Sequence, residues 1–216
     1  MLTTFLTFAM VAANWAASMD PTWWASSETT PTPNRAERAA ALERGITNAL
    51  YTREPDGKPW TVELKQDDAN AWLAERLPRW VENRNLIRDG STLEVRCRFA
   101  PGAMLFAGRT RKSGGITEIA IRCASSPTGP SLAIDSFAFG RLPVPRWLAV
   151  WTIESAFDSP GGSPRDPARS IVHNGNLTSD QFIIHLDDGR TVRIVAIEPI
   201  DRALRITCTT HPASSP

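Results

Sequence analysis

From Leu93 to Cys208 the chain runs in short stretches of alternating apolar and polar residues. In the first, Leu93, Val95, Cys97 and Phe99 oppose Glu94, Arg96 and Arg98. That strict period of two predicts a strand with one buried and one wet face. Strands are expected over Ser91–Ala100, Ala103–Thr110, Gly115–Ala124 and Ser131–Phe139, with hairpin turns at Ala100-Pro101-Gly102 and Lys112-Ser113-Gly114-Gly115. Leu132 and Ile134 fall in one phase and Phe137 and Phe139 in the other, which predicts a bulge or a partly apolar outer face. Further strands are expected over Ser170–His173, Gln181–Leu186, Thr191–Ile197 and Ala203–Thr209, turning at Asp187-Asp188-Gly189 and Pro199-Ile200-Asp201.

Helical spacing appears in three places, twice ahead of this rhythm and once within it. Asn34 with Glu37 three residues on has the form of a capping box, and Ala39, Leu42, Ile46, Ala49 and Leu50 give an apolar stripe that Gly45 weakens. The turn Glu54-Pro55-Asp56-Gly57 ends that unit, and Trp60–Leu64 alternates as a short strand. Asp67 and Asp68 then place negative charge at the start of a second helix, whose Ala69, Trp72, Leu73, Leu77 and Trp80 share one face. Pro78 bends or ends it. Asn70 stands at the edge of that face, either tied to an adjacent loop through its amide or solvated. Leu142-Pro143-Val144-Pro145 is read as the first turn of a third helix, made apolar almost all round by Val144, Trp147, Leu148, Trp151 and Phe157. The pattern predicts an α+β class: a curved, mostly antiparallel sheet packed against amphipathic helices.

Ahead of this body, Leu2–Ser18 carries no charged side chain. A signal anchor, a cleavable signal and a buried N-terminal helix all fit it; the anchor is preferred, with Trp15, Trp23 and Trp24 at the membrane–water interface. Ala25–Pro33, small, polar and proline-containing, has the composition of an extended linker. The expected organisation is an apolar N-terminal segment over 1–24 (anchor or signal), a linker over 25–33, a single α+β domain over 34–210 and a frayed tail over 211–216. Ser159–Pro167 is a surface loop within the domain.

Net charge is +1, so no global field favours nucleic acid, and no nucleic-acid partner is expected. Eight tryptophans stand against one tyrosine, and indoles favour places where an apolar body meets a wet edge. Cys97, Cys123 and Cys208 share the apolar phase of their strands; they are small buried hydrophobes, or two of them pair as a disulfide if the domain is extracytoplasmic. No CxxC, HExxH, nucleophile elbow or phosphate-cradling loop is present, and His173, His185 and His211 are scattered, so no metal, cofactor or catalytic residue is expected. Asn176-Leu177-Thr178 has the form of a glycosylation acceptor. Arg96, Arg98, Arg109, Arg111, Lys112 and Arg122 form a solvated strand face or a patch for anionic head groups or an acidic partner.

The run VELKQDDANAWLAERL, the paired strands after it, and FGRLPVP leading into an apolar stretch resemble the YpmS-like family of membrane-anchored extracytoplasmic bacterial proteins. More distantly the chain is similar to tubular lipid-binding (TULIP-like) proteins. Asn70 with Trp72 and Leu73, and Gly140, Leu142, Pro143 and Pro145, carry the likeness, which spans roughly residues 60–208. The resemblance implies a long curved sheet wrapped on a helix around an apolar groove, at the cell membrane on its extracytoplasmic side. Two functions are weighed ahead of a third, a hydrolase with unrecognised residues, which would need a carboxylate or His of perturbed pKa inside a cleft. The first is a non-enzymatic, membrane-tethered domain binding a lipid or acyl chain in that groove, with Trp72, Leu73, Trp80, Trp147 and Trp151 as ligand-binding residues. The second is a cell-envelope protein–protein interaction or scaffold module with no small-molecule ligand.

Overall fold

The structure is a computed structural model and describes residues 12, 14–24, 34–83, 93–110, 115–126, 129–145, 176–177 and 182–213. The chain has an α+β fold. Helix α1 (Arg35–Thr52) leads through Asp56-Gly57 into strand β1 (Pro59–Lys65), followed by α2 (Gln66–Glu75) and α3 (Leu77–Asn83). Strands β2 (Leu93–Ala100), β3 (Ala103–Thr110), β4 (Ile116–Ser126), β5 (Gly129–Phe139) and β6 (Leu142–Val144) form an antiparallel meander, with β7 (Asn176–Leu177) on β5. Strands β8 (Ile183–His185), β9 (Thr191–Ile200) and β10 (Ala203–His211) close the chain.

Where a single curved sheet was expected, the strands divide between two. One has the order β1-β10-β9-β8, the other β2-β3-β4-β5-β6. The pairing of β1 with β10 joins residues nearly 150 positions apart, in register from Pro59 opposite Thr209 to Lys65 opposite Ala203. Each sheet turns an apolar face toward the other. Cys97, Phe99 and Met104 of the six-stranded sheet meet Ile197 and Leu204 of the four-stranded one, with Ala69, Leu177 and Phe182 completing the buried cluster. A second cluster lies under α1, where Ala49 and Leu50 cover Trp60, Leu186, Val192 and Cys208. There the Trp60 indole N–H donates to Thr210 Oγ1 at 2.9 Å, which satisfies a hydroxyl with no solvent exposure.

Two bulges explain the shifts of hydrophobic phase. Between Ala120 opposite Ser136 and Ile121 opposite Ile134, Asp135 is the extra residue. Phe137 therefore rejoins the buried face that Ile134 occupies, as a bulge there requires. Val195 plays the same part in β9, between Ile194 and Ala196.

Helix α2 joins the two sheets by polar bonds at the edge of β2. Asn70 Oδ1 accepts the Cys97 N–H at 2.7 Å and Asn70 Nδ2 donates to the Cys97 carbonyl at 3.0 Å. One turn earlier, Gln66 Oε1 accepts the Phe99 N–H at 2.9 Å. The Phe99 carbonyl takes the Arg202 N–H at 3.3 Å, and the Arg202 carbonyl takes the Gln66 N–H at 2.9 Å. Arg202 sits in the β9–β10 turn at φ 57°, and its guanidinium reaches Asp67 at 3.1 Å. The free edge of β2 is thus closed by a helix whose side chains imitate a neighbouring strand.

Several local expectations change. Asn34 precedes α1 but has φ 62° and makes no side-chain cap, so the left-handed backbone, rather than a capping box, starts this helix. Leu142-Pro143-Val144 is a short strand on Phe137–Phe139, not a first helical turn, since it continues the β5 hairpin through Gly140-Arg141. Pro199 and Ile200 belong to β9, and the turn is Asp201-Arg202. His211 is the last residue of β10 rather than the start of the tail. The break at Pro78 holds: α2 ends at Glu75 and α3 accommodates the proline in its first turn. The linker 25–33, the loop 159–167, the helix expected beyond Pro145 and the strand expected at 170–173 lie outside the described residues.

Candidate functional site

Of the five residues expected to line a groove, three are described and they do not converge. Trp72 is half-buried between α2 and α1, and its indole N–H donates to Glu43 Oε1 at 3.0 Å. The same carboxylate oxygen lies 3.3 Å from Arg76 Nε. Leu73, one residue and about 100° further round the helix, points into the cluster between the sheets. Trp80 on α3 is 45% exposed. Trp147 and Trp151 lie outside the described residues.

The outer face of the six-stranded sheet departs most from expectation. Arg96 and Arg109 were read on a wet face. Beside Glu94 and Glu118, that side carries an apolar stripe of Leu105, Ala107, Ile116 and Ala120. Residues 14–24, a helical stretch over 14–18 and one turn over 22–24, cover this stripe. Trp24 is completely buried and Trp23 nearly so, packed with Ala107, Ile116 and Leu105 in a cluster separate from that between the sheets. The indoles meet edge to face at 6.1 Å. The Arg96 guanidinium carbon lies 4.4 Å from the centroid of the Trp24 ring and that of Arg109 lies 5.7 Å from it, so two cations hold one indole. Trp23 donates its indole N–H to Glu118. Trp23 and Trp24 therefore find their apolar partner on the sheet rather than at a membrane–water interface, whereas Trp15 is 64% exposed.

Polar contacts fix the register of this segment. Arg96 Nη1 donates to the Trp24 carbonyl at 3.0 Å, Arg109 Nη2 to Asp20 Oδ2 at 2.6 Å, and Arg141 Nε to the Asp20 carbonyl at 3.0 Å. The Arg141 N–H donates to the Ala16 carbonyl at 2.9 Å. Gly140, at φ 58°, makes room: a Cβ there would stand 2.4 Å from the Ala17 carbonyl oxygen and 2.5 Å from that of Met19. One feature of the sequence foretold the covered face. Ala103 to Ala107 is apolar at every position, which is the pattern of a strand buried on both sides. The other basic residues of the expected patch are dispersed: Arg122 pairs with Asp135, Arg98 is exposed, and Arg111 and Lys112 lie outside the described residues.

The titrating groups describe a thiol chemistry held quiet. The three cysteines are free. Burial pushes the Cys97 thiol up to about 12 and those of Cys123 and Cys208 up to about 11, so each stays protonated and weakly nucleophilic at neutral pH. His185 and His211 are exposed. Among the described residues no three His, Cys, Asp or Glu side chains are grouped to hold a metal ion, and no helix is long and apolar enough to cross a membrane. Set against protein-family models, curated proteins and solved structures, the chain matches none.

Proposed function

We propose that this chain is a non-enzymatic interaction module of the cell envelope, and not a carrier of a lipid or acyl chain. One observation carries the reading. The space between helix and sheets that a guest chain would occupy holds the protein's own side chains: Leu73 packs there with Phe99, Met104, Ile197 and Leu204. Trp72 is turned away from it and hydrogen-bonded to Glu43. The extracytoplasmic location rests on the YpmS-like resemblance. The test is native mass spectrometry of the full chain released gently from detergent. The bare polypeptide mass is expected; a retained adduct of lipid mass, lost on denaturation, overturns the reading in favour of the carrier.

A further inference from the structure

We propose that the outer face of β2–β4 is a peptide-binding seat for an acidic–aromatic segment, and that residues 14–24 are its resident occupant, displaceable by a partner peptide of the same chemistry. This rests on the interaction-module reading and names its site.

The segment is bound as a ligand is bound. It is not a strand of either sheet; the β2–β3 and β3–β4 ladders run their full length without it. Its apolar cluster is distinct from the one between the sheets, where Cys97, Phe99 and Met104 have their own partners. The sheet's inner packing therefore does not depend on the segment. Recognition is by kind of group. Leu105, Ala107 and Ile116 accept a pair of indoles; Glu118 takes one indole N–H; Arg96 and Arg109 flank the other ring. Arg109 also binds a carboxylate three residues before the first indole, that of Asp20. Aromatic anchors in desolvated pockets with arginine partners are the usual core of a peptide interface. Gly140 leaves room for the segment's backbone, and the Arg141 N–H donates to its Ala16 carbonyl.

The seat is occupied because the ligand is covalently attached. Nine residues, 25–33, connect it to α1, a reach of about 30 Å at full extension, so the local concentration of the segment is on the order of millimolar. A partner carrying Asp-x-x-Trp-Trp competes against that concentration. The site is in effect closed until its own segment is drawn off.

The experiment uses the full chain in detergent and a fluorescein-labelled peptide with the sequence of residues 14–24, followed by anisotropy. Combining Trp23→Ala with Trp24→Ala weakens the resident segment and is expected to tighten peptide binding by at least about tenfold over the unaltered chain. Adding Arg96→Ala and Arg109→Ala is expected to reverse that gain. Equal binding by the unaltered and Trp-substituted chains, or none by either, overturns the proposal. A second preparation guards against a variant that does not fold: the unaltered chain, with a protease site set into residues 25–33, is folded first and cut afterwards. Exchange of the labelled peptide into the cut protein, with its circular dichroism unchanged, is expected; unfolding on cutting, or failure to exchange, overturns the seat. Because the lipid-adduct measurement does not involve this face, a failed seat with a bare native mass leaves the module reading standing.

Discussion

Replacing Asn70 probes the joint on which the two sheets depend. Its amide satisfies both backbone groups of Cys97, a residue 1% exposed. In Asn70→Ala those groups lose their partner at a strand edge that no other strand covers among the described residues. A buried N–H or carbonyl left unpaired costs about 1–3 kcal/mol, and water entering at the half-buried Asn70 site recovers part of it, so a net loss of about 3 kcal/mol is expected. For a chain of this length that corresponds to a fall in Tm of roughly 6–12 °C. Asn70→Asp separates the two bonds. The new carboxyl can still accept the Cys97 N–H, but as a carboxylate it faces the Cys97 carbonyl oxygen, where the amide donated at 3.0 Å. Only its protonated form can donate, so its pKa in the folded state rises above the unfolded value of about 3.9. The sign follows: the bond's contribution is fully present below that unfolded value and is lost as pH rises through the raised folded value. Urea unfolding should therefore place Asn70→Asp close to the unaltered chain near pH 4 and well below it at pH 7. An Asn70→Ala cost under about 1 kcal/mol, or an Asn70→Asp deficit equal at both pH values, would refute the reasoning.

Other outcomes follow from single contacts. Gly140→Ala adds a methyl 2.4 Å from the Ala17 carbonyl at a positive φ, so the N-terminal segment must shift, at a cost of about 1–3 kcal/mol; the expected sign is a red shift of tryptophan emission as Trp23 and Trp24 gain water. Arg190 donates to the carbonyls of Arg53 and Tyr51 at 2.7 and 3.1 Å while Asp188 holds it in place, so Arg190→Met should fray the last turn of α1, seen as faster amide exchange over Ala49–Thr52. Folded protein should resist iodoacetamide at pH 8 and react at all three cysteines once unfolded. The same raised thiols hold their protons where the unfolded chain has lost them, so stability should decline as pH rises above about 9, measured by urea midpoints at pH 8 and 10.

Several strands were legible in the sequence because they write a period of two: β2 alternates without a fault, and the phase change at Ile134–Phe137 pointed to the bulge that Asp135 makes. Which strands share a sheet was not legible. The partner of Trp60 is Cys208, and nothing local to either residue encodes a contact across that distance. Leu142-Pro143-Val144 misled because proline suits a first helical turn and a sheet-edge strand equally. The groove residues shared one difficulty. Spacing placed Trp72 and Leu73 on a common stripe, but a helix touching α1 on one side and the sheets on the other divides such a stripe between two neighbours. Asn70 was singled out as a possible tether, but that it binds a strand edge depends on the register of β2 against α2, which only the fold supplies.

Among the described residues, the six-stranded sheet is closed off by its own chain at an edge and on its outer face. Gln66, Asn70 and the Arg202 backbone occupy the open edge of β2, and residues 14–24 cover the outer face beside it. The four-stranded sheet is protected differently: its β8 edge is only three residues long, although Ile183 and Ile184 are 41% and 38% exposed, and its outer face carries Glu63, Arg205 and Glu198 in a row across three strands. Short edges and charged faces discourage indiscriminate pairing. The two solutions differ in consequence. A charged face is closed permanently by composition, whereas a face covered by a tethered peptide is closed only as long as the peptide stays. Apolar surface is costly to expose to water and useful to a partner. Covering it with a segment of matching chemistry meets both demands, and in the proposed seat it ties a partner's binding to a movement of residues 14–24.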